Sequence, residues 1–308
     1  MKYKNQKIKV FDAFQNIPRS ISVLASFLDK FGIEIKDSSR CPHPREDFHK
    51  ISKKYPIFAV SDGVTLELNK KGGYPKISGA GKAAKIFCET VIKEIEKSYE
   101  NLTVPDIQKA FYKANQNIGE LNNSKGRTKD KINYWDIDLF SATGAFAVLK
   151  EKTVYWGSIC DSSVIHFDKS GKIFFISPDC WSILRKNLPK NWMEKHVSDR
   201  KKIMRKIYRN GADESGKLIG YGVANGEKTA ERYFKCGKFI AKDGDVVMLI
   251  TDGFENYVKL ENFVKLFLDW PKNIKSKFKK ITKQKSIEDP NNFGRERTII
   301  SVKIVELT

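Results

Sequence analysis

The sequence predicts an α+β fold, an αββα sandwich in which two antiparallel β-sheets stack face to face and carry helix pairs on their outer faces. Three observations point there. Two neighbouring segments repeat apolar residues at helical period, a series of short β-rich runs follows with tight connections, and two further apolar runs each end in an Asp-Gly turn.

Taken in order, residues 9–13 read as a strand and about 18–30 as an amphipathic helix. Ile57-Phe58-Ala59-Val60 is too short for a helix and rich in β-formers, so a buried strand fits it best. Ala84, Phe87, Cys88, Val91, Ile92 and Ile95 share one helical face; Ile107, Ala110, Phe111, Ala114, Ile118 and Leu121 share another. The second helix opens on Thr103-Val104-Pro105-Asp106, a capping-box start with proline in the first turn. Only Asn101-Leu102 separates the two helices, so they run antiparallel. Strands are expected at 143–150, 152–160, 162–168 and 172–178, with Asp168-Lys169-Ser170-Gly171 as a hairpin turn. Their short links predict a meander of antiparallel neighbours. Val246-Val247-Met248-Leu249-Ile250 is another buried strand, and Thr298-Ile299-Ile300-Ser301-Val302 opens a final one.

Composition narrows the function classes. In 308 residues, 57 Lys and Arg outnumber 37 Asp and Glu, a formal charge of +20 that attracts polyanions such as nucleic acid or acidic phosphoproteins. The excess concentrates in Arg185–Arg209 and Lys272–Lys285, and Phe278 is the one aromatic residue inside the second run, too few for base stacking. Each run taken alone reads as a solvated lysine-rich face. No stretch of eighteen apolar residues exists and no signal-like apolar region follows the basic start, so a cytoplasmic protein without membrane insertion is expected. The five cysteines form no C-x-x-C pair, against a disulfide framework or zinc site.

The candidate chemistry lies in aspartates at strand ends. Ser61-Asp62-Gly63 and Thr251-Asp252-Gly253 close buried runs, and Cys160-Asp161-Ser162 follows another. A carboxylate there is held by rigid backbone, and the glycine after it admits close approach of a ligand. Asp-Gly alone is a common hairpin dipeptide, and Asp243-Gly244, in a polar stretch, reads as an ordinary turn. What sets the others apart is their order: Arg45-Glu46-Asp47, then Phe58-Ala59-Val60-Ser61-Asp62-Gly63, then Asp161-Ser162, then Thr251-Asp252-Gly253, then Arg295-Glu296-Arg297 before the closing strand.

In that order the chain resembles the metal-dependent PPM-type (type 2C) Ser/Thr protein phosphatases, over about residues 31–306. The resemblance implies a phosphatase domain over 31–308 behind an N-terminal extension of 1–30, with metals at one end between the sheets. It implies that Asp62 bridges two ions of Mn²⁺ or Mg²⁺, with the Gly63 carbonyl and Glu46 on one and Asp252 and Glu296 on the other. Asp161 matches a carboxylate that helps hold an additional, weaker ion, and Asp47 one that orders metal-bound water. Arg40, with Arg45 as the alternative, matches the arginine that grips the substrate phosphate. Such hard cations favour all-oxygen shells, and two of them about 3.5–4 Å apart activate a water for attack on a phosphomonoester. The implied role is a signalling hydrolase acting on a phosphorylated protein.

Departures stand beside the matches. The family continues its first Asp-Gly into Gly-Gly-His, whereas here Val64-Thr65-Leu66-Glu67-Leu68-Asn69 follows and Gly72-Gly73 comes later without a histidine. His43, His49, His166 and His196 read as surface or partly buried polar residues, not ligands. Cys160 replaces a glycine, and Glu296 replaces an aspartate one methylene shorter. These changes keep open a second class of function: a catalytically inactive module of the same fold that binds a phosphorylated or nucleic-acid partner through its basic surface.

Overall fold

The computed structural model describes residues 2–3, 6–15, 45–64, 78–134, 137–195 and 197–307. The expected helix at 18–30, Arg40, His43, His196 and the Gly72-Gly73 loop lie outside the described residues.

The chain begins with β1 (Lys2–Tyr3), β2 (Gln6–Gln15), β3 (Phe48–Ile51) and β4 (Ile57–Gly63), followed by α1 (Gly79–Ser98) and α2 (Val104–Ser124). Next come β5 (Ala142–Lys150), β6 (Thr153–Ile159), β7 (Ser163–Phe167) and β8 (Ile173–Ile176), then the short helices α3 (Trp181–Asn187), α4 (Val197–Ile203) and α5 (Ala230–Tyr233). β9 (Lys235–Ile240), β10 (Val246–Ile250), α6 (Glu261–Asp269), α7 (Ile274–Glu288), α8 (Pro290–Phe293) and β11 (Arg297–Leu307) complete it.

Two antiparallel sheets result, one ordered β1-β2-β11-β10-β7-β8 and the other β3-β4-β5-β6-β9. The period-two alternation of the strands builds three layers of core. Phe58 and Val60 of β4 join Val247 and Leu249 of β10 and Ile300 and Val302 of β11 between the sheets. Their neighbours Ile57 and Ala59 face the other way, onto Phe87, Val91, Phe111 and Ile118 of α1 and α2. Val246, Met248 and Ile250 likewise turn outward, onto Phe263, Phe267 and Phe278 of α6 and α7. The expected αββα sandwich is thus observed.

α1 and α2 are held where the apolar stripes predict. Ser78 caps α1 by accepting from the amides of Ala80 and Gly81, and Asp106 closes a capping box with Thr103 at the start of α2. Strand Gln6–Gln15 pairs along β11, so the first described segment is a member of the sheet that holds the C-terminal strand.

The expected meander breaks at one place. β5 pairs with β6 and β7 with β8, but β6 and β7 lie in different sheets. Between them Cys160 adopts φ 65°, the left-handed region, and the chain steps from one sheet to the other. A link of three residues reads as a hairpin in the sequence; in the fold it is a crossing between the sheets. Asp161 sits on that crossing.

Between β8 and β9 a long segment is pinned to the loop before β5 by a buried ion pair. Arg209 donates to both carboxylate oxygens of Asp138 at 2.8 and 2.5 Å, and Arg205 approaches the same carboxylate at 3.4 Å. Arg209 of the first basic run is therefore a structural residue, whereas Lys272, Lys275, Lys277, Lys279, Lys280 and Lys283 are exposed on and beside α7. Cys88, Cys160, Cys180 and Cys236 are free thiols. Among the described residues no helix is long and apolar enough to cross a membrane.

Candidate functional site

Strand register brings the strand-end acids to one end of the sandwich. Asp62 pairs with Thr143 near the start of β5, and Gly144 pairs with Ile159, the last residue of β6, just ahead of Asp161. Across the interlayer, Ile250 ends β10 between Ser163 and Ile299, so Thr251-Asp252 leaves that sheet beside the start of β11, where Glu296 stands. Asp47 precedes β3, whose Phe48 pairs with Ser61.

Hydrogen bonds then bind the two sheets together through these acids. Glu296 Oε1 accepts from the amides of Glu46 at 3.0 Å and Asp47 at 3.2 Å. The Thr251 hydroxyl donates to Asp47 Oδ2 at 2.8 Å and accepts from the Thr298 amide at 2.9 Å. Ser78, the α1 cap, donates its hydroxyl to Glu46 Oε1. Two glycines allow the approach. A Cβ on Gly63 would lie 2.4 Å from the Ala80 carbonyl carbon, and one on Gly253 would lie 2.1 Å from the Glu296 carbonyl oxygen.

The electrostatics are those of crowded like charge. Burial, reinforced by the charges of Asp47, Asp252, Asp161 and Glu296, pushes the Asp62 carboxyl well above the usual range. Burial likewise raises Asp47 to about 6, Asp161 to about 7 and Glu296 to about 8. Asp252 is raised by burial and pulled back by Arg295, whose guanidinium stands 2.9 Å from Asp252 Oδ2.

This donor set matches a hard divalent cation in chemistry: it is all oxygen, and it concentrates more negative charge than nearby cations offset. Asp161 Oδ1 is buried with no hydrogen-bond partner, the kind of orphaned acceptor that a cation satisfies. Among the described residues no three acidic, histidine or cysteine side chains converge into a ready-made metal cage. Glu46, Asp252 and Glu296 are engaged instead by Ser78, Arg295 and backbone amides.

Of the residues expected from the sequence, Glu46, Asp47, Asp62, Gly63, Asp161, Asp252 and Glu296 share this end of the fold, and Arg40 is not described. Arg45 is committed elsewhere: its Nε donates to the Asp47 carbonyl at 3.0 Å and its guanidinium covers Phe14 at 4.2 Å. His166 is buried against Asp245 at 2.7 Å, beside the first residue of β10 and therefore at the strand end away from Asp252; His49 contacts Asp12. Ser78 lies outside the sequence motifs, and Thr251 and Arg295 stand in them without an assigned role. The signals available were a small cap residue before a helix, a threonine one place before the aspartate, and an arginine one place before the glutamate.

Residues 40–179 match the family model for protein phosphatase 2C. No curated protein matches the chain at a significant level. Among solved structures, the chain is similar to the Mycobacterium tuberculosis Ser/Thr phosphatase PstP/Ppp, at 10% identity with TM-score 0.59, covering 97% of this chain and 99% of that one. It is also similar to Staphylococcus aureus Stp1, at 12% identity and TM-score 0.56 over 99% of this chain and 98% of that one. A third neighbour, the PstP catalytic domain in complex with two manganese ions, shows 13% identity and TM-score 0.52 over 97% and 99%.

Proposed function

We propose that this relative of the PPM-type phosphatases, similar to them in sequence over residues 40–179 and in fold over nearly its whole length, is a metal-dependent protein serine/threonine phosphatase. The observation that carries the reading is the cluster of buried and half-buried carboxylates contributed by both sheets, in which Asp62 is opposed by Asp47, Asp161, Asp252 and Glu296.

In this reading Asp62, the Gly63 carbonyl, Glu46, Asp252 and Glu296 would hold the ions. Asp161 would help hold a further, weaker ion, and Asp47, fixed by Thr251, would orient water. Mn²⁺ or Mg²⁺ there supplies charge neutralisation and an activated water for phosphomonoester hydrolysis. The chain's own work is to hold the carboxylates in place. Thr251 and Ser78 orient Asp47 and Glu46, and the Glu296 contact to two amides ties the start of β11 to the segment before β3. The substrate is a phosphorylated protein, and a cytoplasmic signalling role belongs to the same proposal.

A second reading is a catalytically inactive module of this fold, binding a phosphorylated or nucleic-acid partner through its basic surface. It is favoured by the prior engagement of Glu46, Asp252 and Glu296 with partners inside the protein. Metal linkage separates the two. A ligand at a hundred times its Kd stabilises the folded state by about 2.7 kcal/mol. Saturating Mn²⁺ should therefore raise the melting temperature of the wild type and leave Asp62→Asn unchanged. No shift in the wild type would favour the inactive module.

A further inference from the structure

Among the described residues Arg295 is the cation seen in an ion pair with the carboxylate cluster, and its setting is unusual for a surface ion pair. Its backbone is fixed: the buried Arg297 guanidinium donates to the Arg295 carbonyl at 2.9 Å, to the Phe293 carbonyl at 2.8 Å and to Ser286 at 2.9 Å. Its side chain is not. It remains 66% exposed, and among the described residues Asp252 is its only ion-pair partner. A clamped backbone with a solvated guanidinium is a short arm anchored at the rim of the site.

The contact that the arm makes is also a competing one. Arg295 Nη1 lies on Asp252 Oδ2, a carboxylate assigned above to a metal ion. An exposed pair of this kind contributes only about 0.2–1 kcal/mol, so it yields readily to a divalent cation. Once displaced, the guanidinium stays within one side-chain length of the cluster, where a phosphoryl group bound at the ions would carry its negative charge. Its planar fork matches phosphate oxygens two at a time, which a lysine ammonium does not. Arg45, the other described arginine near the acidic pair, has its guanidinium stacked on Phe14 and bonded to the Asp47 carbonyl.

We propose that Arg295 is a phosphate-binding arm of this site: in the metal-free protein it caps Asp252, and on metal binding it is released to grip the substrate phosphoryl group. The inference rests on the phosphatase reading for its substrate and on the geometry at Asp252 for its motion. The two halves predict opposite effects of one substitution. Removing the arm removes a competitor for the metal and a ligand for the phosphate.

The test is calorimetric titration of Mn²⁺ into metal-free protein, then of inorganic phosphate into the Mn²⁺-loaded protein, for the wild type, Arg295→Ala and Arg295→Lys. Loss of the competing pair should tighten Mn²⁺ binding of Arg295→Ala about 1.4- to 5-fold. Phosphate affinity should fall about tenfold or more in Arg295→Ala, and Arg295→Lys should recover only part of it. Mn²⁺ affinity unchanged or weakened in Arg295→Ala would overturn the capping contact as a competitor. Unchanged phosphate affinity would overturn the gripping role, whatever the metal does. Neither readout needs turnover, so a wild type that binds Mn²⁺ and phosphate without hydrolysing phosphopeptide counts against the phosphatase reading alone. A wild type that binds no Mn²⁺ overturns both.

Discussion

Asp62 faces four other carboxylates from both sheets, and the price of that crowding appears in the pH dependence of stability. An acid whose native pKa lies above its unfolded value holds more protons folded than unfolded between the two, so its contribution to stability falls as pH rises through that window. Asp47 at about 6, Asp161 at about 7 and Glu296 at about 8, against ordinary values of 3.8 and 4.5, put the window between about pH 4 and 8. In chelator, Asp62→Asn removes the charge that the others oppose. Its melting temperature should exceed that of the wild type at pH 8 by more than at pH 5; equal differences at both would contradict the crowding. Close packing makes its own demand one residue from the cluster, beside Asp252. Gly253→Ala drives a methyl group against the Glu296 carbonyl and should cost about 1–3 kcal/mol in denaturant unfolding, with lost Mn²⁺ affinity, whereas an unchanged midpoint would mean that the turn relaxes freely. Much of this site was legible because strand-end Asp-Gly turns in a fixed order carry it. Ser78, Thr251 and Arg295 were not, because a hydroxyl cap or an ion-pair partner has no sequence pattern of its own; only the folded contact reveals it.

At the scale of elements, the helices and most strands follow directly from periodicity. The stripes at 84–95 and 107–121 fall inside Gly79–Ser98 and Val104–Ser124, and the Asp168–Gly171 turn joins β7 to β8. The β6–β7 link departs from the meander for a physical reason. Chain length alone cannot distinguish a hairpin from a crossing; here β7 pairs with β10 and β8 in the other sheet. The segment between β8 and β9 was also opaque, since its attachment depends on a long-range pair. Asp138 and Arg209 are both buried and bonded bidentately, so Asp138→Ala leaves a guanidinium in the interior without its counter-charge. Removing one partner of such a pair costs about 3–5 kcal/mol. Chemical denaturation should show that loss, and hydrogen exchange should show the deprotection concentrated around residues 204–227. A cost near zero, or deprotection spread evenly, would mean that the pair does not pin the segment.

The whole molecule is three apolar layers held between two sheets and two helix pairs, with the acids at one end where both sheets terminate. Hydrophobic alternation specifies that architecture, because each strand must bury one face on the other sheet and one on helices. Phe278 shows the outer layer's share. It is the apolar anchor of the lysine-rich α7 against Phe11, Phe254, Phe263 and Phe267, so Phe278→Ala should cost about 3–5 kcal/mol even though the rest of that run is solvated. A cost below about 1 kcal/mol would place α7 outside the cooperative core. We propose that the fold gathers its acids to hydrolyse phosphomonoesters with divalent metal. Turnover of a phosphothreonine peptide by the purified protein with Mn²⁺, with Mg²⁺ and with chelator, beside Asp62→Asn and Asp252→Asn, decides it. Metal-dependent release of phosphate by the wild type, abolished by chelator and in both variants, is the predicted result. Folded wild-type protein that binds Mn²⁺ but releases no phosphate with either metal would contradict it.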